Sequence, residues 1–197
     1  ESRWFLARVT RFHDGSGNLV VAHENITQRK LAEQREAHRA HVLQMVADKA
    51  PLPDVLVAIA LDVEAGNPAA LCSILLLDEA GVHLRLGAAP SLPDFYNQAI
   101  DGLAIGPGVG SCGTAAYSGQ RTIVENIPAH PWWAPFRELA ARAGLGSCWS
   151  QPILNAAGKV LGTFAIYHRG PSVPTPADLV LIDYEARLAA LAIEPVA

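Results

Sequence analysis

"GVGSCGTAAYSGQRTIVENI", residues 108–127, reads as a glycine-rich loop, a short helix and a strand in immediate succession. Glycines 108, 110 and 113 surround Cys112, and the Gly-Ser-Cys triplet recurs in "LGSCWSQPI" at 145–153. Around this centre the chain alternates short strands with helices. Upstream, "ALCSILLLDEAGVHLRLGAAP" (70–90) is strand, Asp-Glu-Ala-Gly turn and strand, with Cys72 as a small buried side chain. "SLPDFYNQAIDG" (91–102) predicts a short helix capped by Ser91 or Asp94. Downstream, "PAHPWWAPFRELAARAG" (128–144) predicts a helix entered through prolines. "SCWSQPILNAAGKVLGTFAIYHRG" (147–170) predicts a hairpin turned at Asn155–Gly158. The terminal "TPADLVLIDYEARLAALAIEP" is an amphipathic helix with Thr175 as N-cap and Pro176 in its first turn. Meandering strands, with helices gathered at the ends and in the long connection, indicate an α+β fold with an antiparallel sheet.

The N-terminal third has a different character. "RWFLARVTRF" (3–12) and "LVVAHENIT" (19–27) read as two strands joined by the turn sequence "HDGSGN" (13–18). A two-stranded hairpin alone is marginal in water, so these strands are expected to belong to a larger sheet, and the chain to be cut from something longer. Residues 28–50 are rich in helix formers, with Thr27 as expected N-cap and Pro51 as stop. Leu31, His38, Val42 and Met45 form a stripe too thin for a core helix, which suits a seam between two chains. "PLPDVLVAIALDVEAGNP" (51–68) predicts a second helix, apolar on one side.

Composition narrows the function classes. The chain has 197 residues, half of them hydrophobic and 17% charged, enough for one well-buried domain with attachments. Fifteen basic against nineteen acidic residues give a net charge of −4, with no clustered Lys/Arg face, which argues against nucleic acid as a partner. Three cysteines without a CxxC spacing argue against a disulfide framework and against a zinc site. Apolar runs are too short for a spanning helix, and direct membrane contact is not expected. The expected compartment is the cytoplasm.

These stretches resemble two bacterial signalling families. "GNLVVAHENITQRKLAE" is similar to the closing strand of a PAS domain, with Asn25 where that pattern has Asp. "CSILLLDEAGVHLRLGAAPSLP", "GVGSCGTAAYSGQRTIVENI", "GLGSCWSQPI" and "GKVLGTFAIYH" resemble a GAF domain. The resemblance implies a six-stranded antiparallel sheet with helices on one face and a ligand pocket on the other, preceded by a PAS-tail β-hairpin and a linker helix. It assigns 1–27 to a truncated PAS domain, 28–50 to a signalling helix and 51–197 to the GAF domain. It also implies a homodimer through the linker and terminal helices, and an output further along the parent chain, either cyclic-di-GMP turnover or a histidine kinase.

Several chemistries compete for the pocket. The glycine-rich loop lacks the Gly-Lys-Ser/Thr ending and the βαβ setting of a phosphate cradle. The free methionine-R-sulfoxide reductases are GAF-fold enzymes, and Cys112 matches one of their loop cysteines. Their second key cysteine falls where this chain reads "PAHPWWAPF", and their active-site carboxylates have no counterpart here. A bilin is disfavoured because neither Cys112 nor Cys148 is followed by histidine. Haem would need a histidine, with His130, His168 and His83 as candidates; His38 and His41 share a helix face but make a weak metal site alone. The residues expected to line a small-molecule pocket are Cys112, Tyr117, Trp132, Trp133, Phe136, Cys148, Ser150 and Gln151. The expected role is a ligand sensor; a thiol enzyme and a pure dimerisation scaffold are the alternatives.

Overall fold

A computed structural model describes residues 3–11 and 19–194. The chain divides into two compact units, Glu1–His41 and Val42–Ala197.

In the first unit, β1 (Phe5–Arg11) pairs antiparallel with β2 (Leu19–Asn25), Phe5 opposite Asn25 and Arg11 opposite Leu19. The expected turn at 13–18 lies outside the described residues. Phe5, Leu6, Val9, Leu19, Val20 and Val21 are all exposed, on both faces of the ribbon. The helix α1 (Thr27–Ala47) begins one residue earlier than expected, and its last six residues belong to the second unit, where Val42 is buried. Thr27 opens this helix rather than capping it: Asn25 Oδ1 accepts from the Thr27 N–H at 3.0 Å, while Thr27 Oγ1 accepts from the Trp4 N–H at 2.9 Å. The helix ends before Pro51, where Lys49 turns into the left-handed region with φ 56°.

The second unit is built on a six-stranded antiparallel sheet. Its strands are β3 (Ala70–Leu77), β4 (His83–Ala88), β5 (Leu103–Ala104), β6 (Thr122–Val124), β7 (Ser147–Leu154) and β8 (Val160–His168), ordered β5-β4-β3-β8-β7-β6. The α+β class and antiparallel sheet expected from the sequence are both present. Both faces of the central strands are buried, so these strands read as nearly continuous apolar runs.

On one face, Cys72, Ile74, Trp149, Ile153, Phe164 and Ile166 pack against α2 (Leu52–Gly66) and α6 (Pro176–Ile193). The α6 start is as expected: Thr175 and Asp178 form a reciprocal capping box, with Pro176 in the first turn. On the other face, Leu71, Leu75, Cys148, Ala165 and Tyr167 pack beneath α3 (Asp94–Ile100), α4 (Gly110–Ser118) and α5 (Arg137–Ala143). Arg142 of α5 stacks 3.9 Å over the Phe95 ring, tying α5 to α3.

Local departures from expectation have simple causes. The α3 start has no side-chain cap, because the Ser91 hydroxyl instead donates to the buried Glu64 carboxylate at 2.5 Å. Residues 127–136 form two 3₁₀ turns before α5, since Pro128, Pro131 and Pro135 remove the amides a longer α-helix would need. The hairpin turn at Asn155–Gly158 is as expected, with Asn155 Oδ1 accepting from the Ala157 and Lys159 N–H groups. Among the described residues no helix is long and apolar enough to cross a membrane.

Candidate functional site

The cavity lies between the sheet and the glycine-rich loop. Strand alternation decides what can reach it. On β7, Cys148 and Ser150 point to the α4 side, while Trp149 and Gln151 point to the α6 side. On β8, Thr163, Ala165 and Tyr167 share the α4 side, and Phe164, Ile166 and His168 the other.

The loop brings α4 down onto this face. Gly108 and Gly110 have φ of +75° and +55°, and the indole of Trp132 lies 3.0 Å from where a Cβ on Gly108 would sit. The left-handed turns put Ser111 and Cys112 at the first turn of α4, facing the sheet. The Ser111 hydroxyl donates to the Cys148 carbonyl at 3.4 Å and accepts from Trp133 Nε1 at 3.0 Å. Trp133 is thereby locked as a wall, with Phe136 edge-on at 6.3 Å between ring centres.

The cavity is lined by Leu75, Tyr96, Cys112, Trp133, Phe136 and Tyr167, among others. About 20 Å³ is open to the centre of a water-sized sphere, which is room on the scale of one water molecule. No ionisable carboxylate or basic side chain lines it among the described residues. Its polar groups are hydroxyls and a thiol.

Those polar groups form one cluster. The Tyr167 hydroxyl lies 3.1 Å from Ser73 Oγ and 3.7 Å from Cys112 Sγ, with the Tyr96 ring edge-on at 6.0 Å. Burial pushes the Tyr96 and Tyr167 phenols well above their ordinary range, so both stay protonated. Cys112 moves the other way, down to about 7. The Cys148 thiol beside it is the main cause; burial opposes, and the Ser150, Tyr167 and Thr163 hydroxyls add to the fall by facing the same sulfur. Burial, then the neighbouring Cys112, pushes Cys148 up. Ser150 and Thr163 are fully buried, and their hydroxyls have no conventional hydrogen-bond partner among the described residues. A wholly unpaired buried hydroxyl costs about 1–3 kcal/mol, so their proximity to a sulfur that can become anionic is chemically pointed.

Five of the residues expected at the pocket are thus brought together: Cys112, Trp133 and Phe136 line it, while Cys148 and Ser150 lie beneath Cys112. Three are not. Tyr117 is 59% exposed on the outer side of α4. Trp132 is 38% exposed, stacked at 4.9 Å on His130 and covering Gly108 from outside. Gln151 faces α6, where its Oε1 accepts from Arg121 Nε and Arg121 in turn donates to the Leu179 carbonyl. Tyr96, Tyr167, Ser111 and Thr163 were missed. Alternation along β8 held the signal for Thr163 and Tyr167; Tyr96 carried none.

The histidines considered for haem do not face the cavity. His130 Nδ1 accepts from the Trp132 N–H, His83 bonds to Asp78 at 3.1 Å, and His168 stacks on Trp149 at 4.4 Å on the opposite face of the sheet. With no histidine at the wall and room for a water, the cavity does not fit a haem. Cys72 lies on the α6 side, its amide bonded to Glu64 and its thiol pushed up by burial, away from the other two cysteines.

Comparison with known proteins agrees with this architecture. A family model described as GAF domain matches residues 50–194. The chain is 41% identical over 172 residues to the methyl sulfide methyltransferase-associated sensor of Methanosarcina acetivorans, covering 87% of this chain and 17% of that protein. It therefore spans less than a fifth of that relative's length. Among solved structures, a domain named for a two-component sensor histidine kinase of Sinorhizobium meliloti 1021 superposes with a TM-score of 0.61 at 23% identity, covering 73% of this chain and 91% of that one. The free methionine-R-sulfoxide reductase of Neisseria meningitidis, in complex with its substrate, superposes with a TM-score of 0.61 at 20% identity, covering 84% and 90%. At these identities the two structures share the fold.

Proposed function

Residues 50–194 belong to the GAF domain family, and from that premise we propose that the chain is a sensory module whose α4-side cavity admits a small, uncharged, largely apolar ligand. The lining carries the reading. Aromatic and aliphatic walls with a thiol and two phenols suit a neutral molecule that makes one or two hydrogen bonds. An amino-acid substrate such as methionine sulfoxide brings a carboxylate and an ammonium, and among the described residues no charged side chain in this wall would pair with either. The sensor named in the relative supports the same class of role. A ligand entering this narrow cavity displaces Trp133, Phe136 or α4, and the sheet links that movement to α6 on the far face.

The two-faced exposure of apolar side chains on β1 and β2 supports assigning 1–27 to the end of a PAS sheet completed by preceding residues. Residues 28–50 would then be a signalling helix, and 51–197 the GAF domain. Exposed Leu31 and Leu43 on the linker helix, and Val180 and Leu191 on α6, support a homodimer through the linker and terminal helices. A cytoplasmic location and an output in cyclic-di-GMP turnover or histidine kinase activity complete the proposal.

Titration of the full chain with phenol and dimethyl sulfide, against free methionine sulfoxide, tests the ligand class through the change in tryptophan fluorescence that Trp133→Phe removes and through thermal stability. Saturable shifts with the neutral probes alone are expected. A response only to the zwitterion, or thiol-coupled turnover of it, would replace the sensor by the enzyme.

A further inference from the structure

Cys112 on α4 and Cys148 on β7 are free thiols packed in the same cluster between helix and sheet. Ser111, next to Cys112, donates to the Cys148 carbonyl at 3.4 Å, and Tyr167, the cross-strand neighbour of Cys148, brings its hydroxyl to 3.7 Å from the Cys112 sulfur. Their surroundings differ from those of ordinary core cysteines. The fully buried hydroxyls of Ser150 and Thr163 have no conventional partner, and both face the Cys112 sulfur. The Tyr167 hydroxyl is a third neighbour, 3.7 Å from the same atom. A neutral thiol is a poor acceptor for three donors, whereas an anionic sulfur satisfies them all. Access is asymmetric as well. Cys112 lines the cavity, and Cys148 lies behind it, fully buried.

We propose that Cys112 and Cys148 form a dithiol switch, oxidised by small hydroperoxides to a disulfide that bonds α4 to β7. The Cys112 thiolate attacks one peroxide oxygen; a sulfur–oxygen bond forms, the oxygen–oxygen bond breaks, and the other oxygen leaves as an alcohol, or as water, after taking a proton. The Cys148 sulfur then attacks the resulting sulfenic acid. A sulfur–sulfur bond forms, the sulfur–oxygen bond breaks, and the departing hydroxide takes the Cys148 proton to leave as water. Two thiols and one hydroperoxide give one disulfide, one alcohol and one water. The sulfurs together lose the two electrons that the peroxide gains.

Segment 128–136, which lies between the two cysteines in sequence, holds no further thiol that could replace Cys148 as the partner. The cavity size fits an oxidant little larger than water. A bond between α4 and β7 would fix the wall at Ser111, Cys112 and Trp133, which makes redox state a second input at the same place. This inference does not require that the cavity bind any other ligand.

The test is mapping of oxidised thiols in the full chain. Reduced protein is treated with stoichiometric hydrogen peroxide near neutral pH and digested without reductant. The expected product has lost the mass of two hydrogens, yields a linked Cys112–Cys148 peptide, and leaves Cys72 open to alkylation after unfolding. Cys148→Ala should stop at a sulfenic acid on Cys112 that dimedone traps, and Cys112→Ala should leave Cys148 reduced. Ser150→Ala with Thr163→Val should slow oxidation severalfold at neutral pH and much less at alkaline pH, where the thiolate forms without help. Linkage through Cys72 or between chains would overturn the proposal, and so would both thiols surviving peroxide that oxidises free cysteine. The wild-type map decides this even if a variant fails to fold.

Discussion

Truncating Trp133 to alanine probes the cavity wall most sharply. The indole is 4% exposed, meets Phe136 edge-on and donates to Ser111 Oγ at 3.0 Å. Removing a buried tryptophan costs about 3–5 kcal/mol in lost transfer energy and residual cavity. The lost hydrogen bond adds about 1 kcal/mol. For a domain of this size each kcal/mol shifts Tm by about 2–4 °C, so Trp133→Ala should melt about 10 °C or more below the parent. Trp133→Phe keeps most of the packing and isolates the hydrogen bond, with an expected loss of about 1–2 kcal/mol. The enlarged apolar void should then accept indole, raising Tm in a saturable way; at a hundredfold excess over Kd the gain is about 2.7 kcal/mol. The assay is calorimetry or fluorescence melting with and without indole. A Trp133→Ala cost below about 1 kcal/mol, with no response to indole, would show that Trp133 is not a wall of a buried cavity.

Four further outcomes rest on named contacts. Alkylation of Cys112 should rise with pH around a midpoint of about 7, and removing the hydroxyls of Ser150 or Thr163 should move that midpoint upward; no movement would separate those hydroxyls from the thiolate, leaving Cys148 and Tyr167 as its neighbours. Because the folded chain holds this thiol below its ordinary value, the stabilisation it provides is fully present above the unfolded value and is lost as pH falls through about 7, which urea melts across that window can check. Gly108→Ala forces a side chain into φ +75° against Trp132 and should cost about 1 kcal/mol or more by denaturant melting. Thr175→Ala removes the capping box that starts α6 and should cost about 1 kcal/mol, with amide exchange at residues 177–179 rising first.

The fold was legible because its signals are local. Turn chemistry at Asn155–Gly158, the Thr175-Pro176 start and the glycines around Cys112 each fix a backbone path without knowledge of distant contacts. Thr27 shows the limit of such reading: its sequence position suits an N-cap, but Asn25 Oδ1 accepts from the first helical N–H and the Thr27 hydroxyl accepts from Trp4 across the ribbon, a long-range bond. The site was legible where strand alternation applies, so that Cys148 and Ser150 fall on the cavity face. Applied strictly, the same rule would have excluded Gln151, which points to α6 and pairs with Arg121. The tryptophans could not be separated by sequence. Pro131 and Pro135 enclose both in a 3₁₀ turn, whose threefold geometry sends Trp133 inward and leaves Trp132 over the loop. Tyr96 reaches the cavity only because α3 folds over β4 and β3, a tertiary fact with no local signature.

Amide hydrogen exchange on the full chain, with and without saturating phenol, reports whether a neutral ligand enters beneath α4. Slowed exchange is expected at 109–118 and 131–143, which wall the cavity, with a smaller change at the start of α6 on the opposite face. Protection confined to α2 and the end of α6, or no protection at any concentration that shifts thermal stability, would contradict ligand entry there.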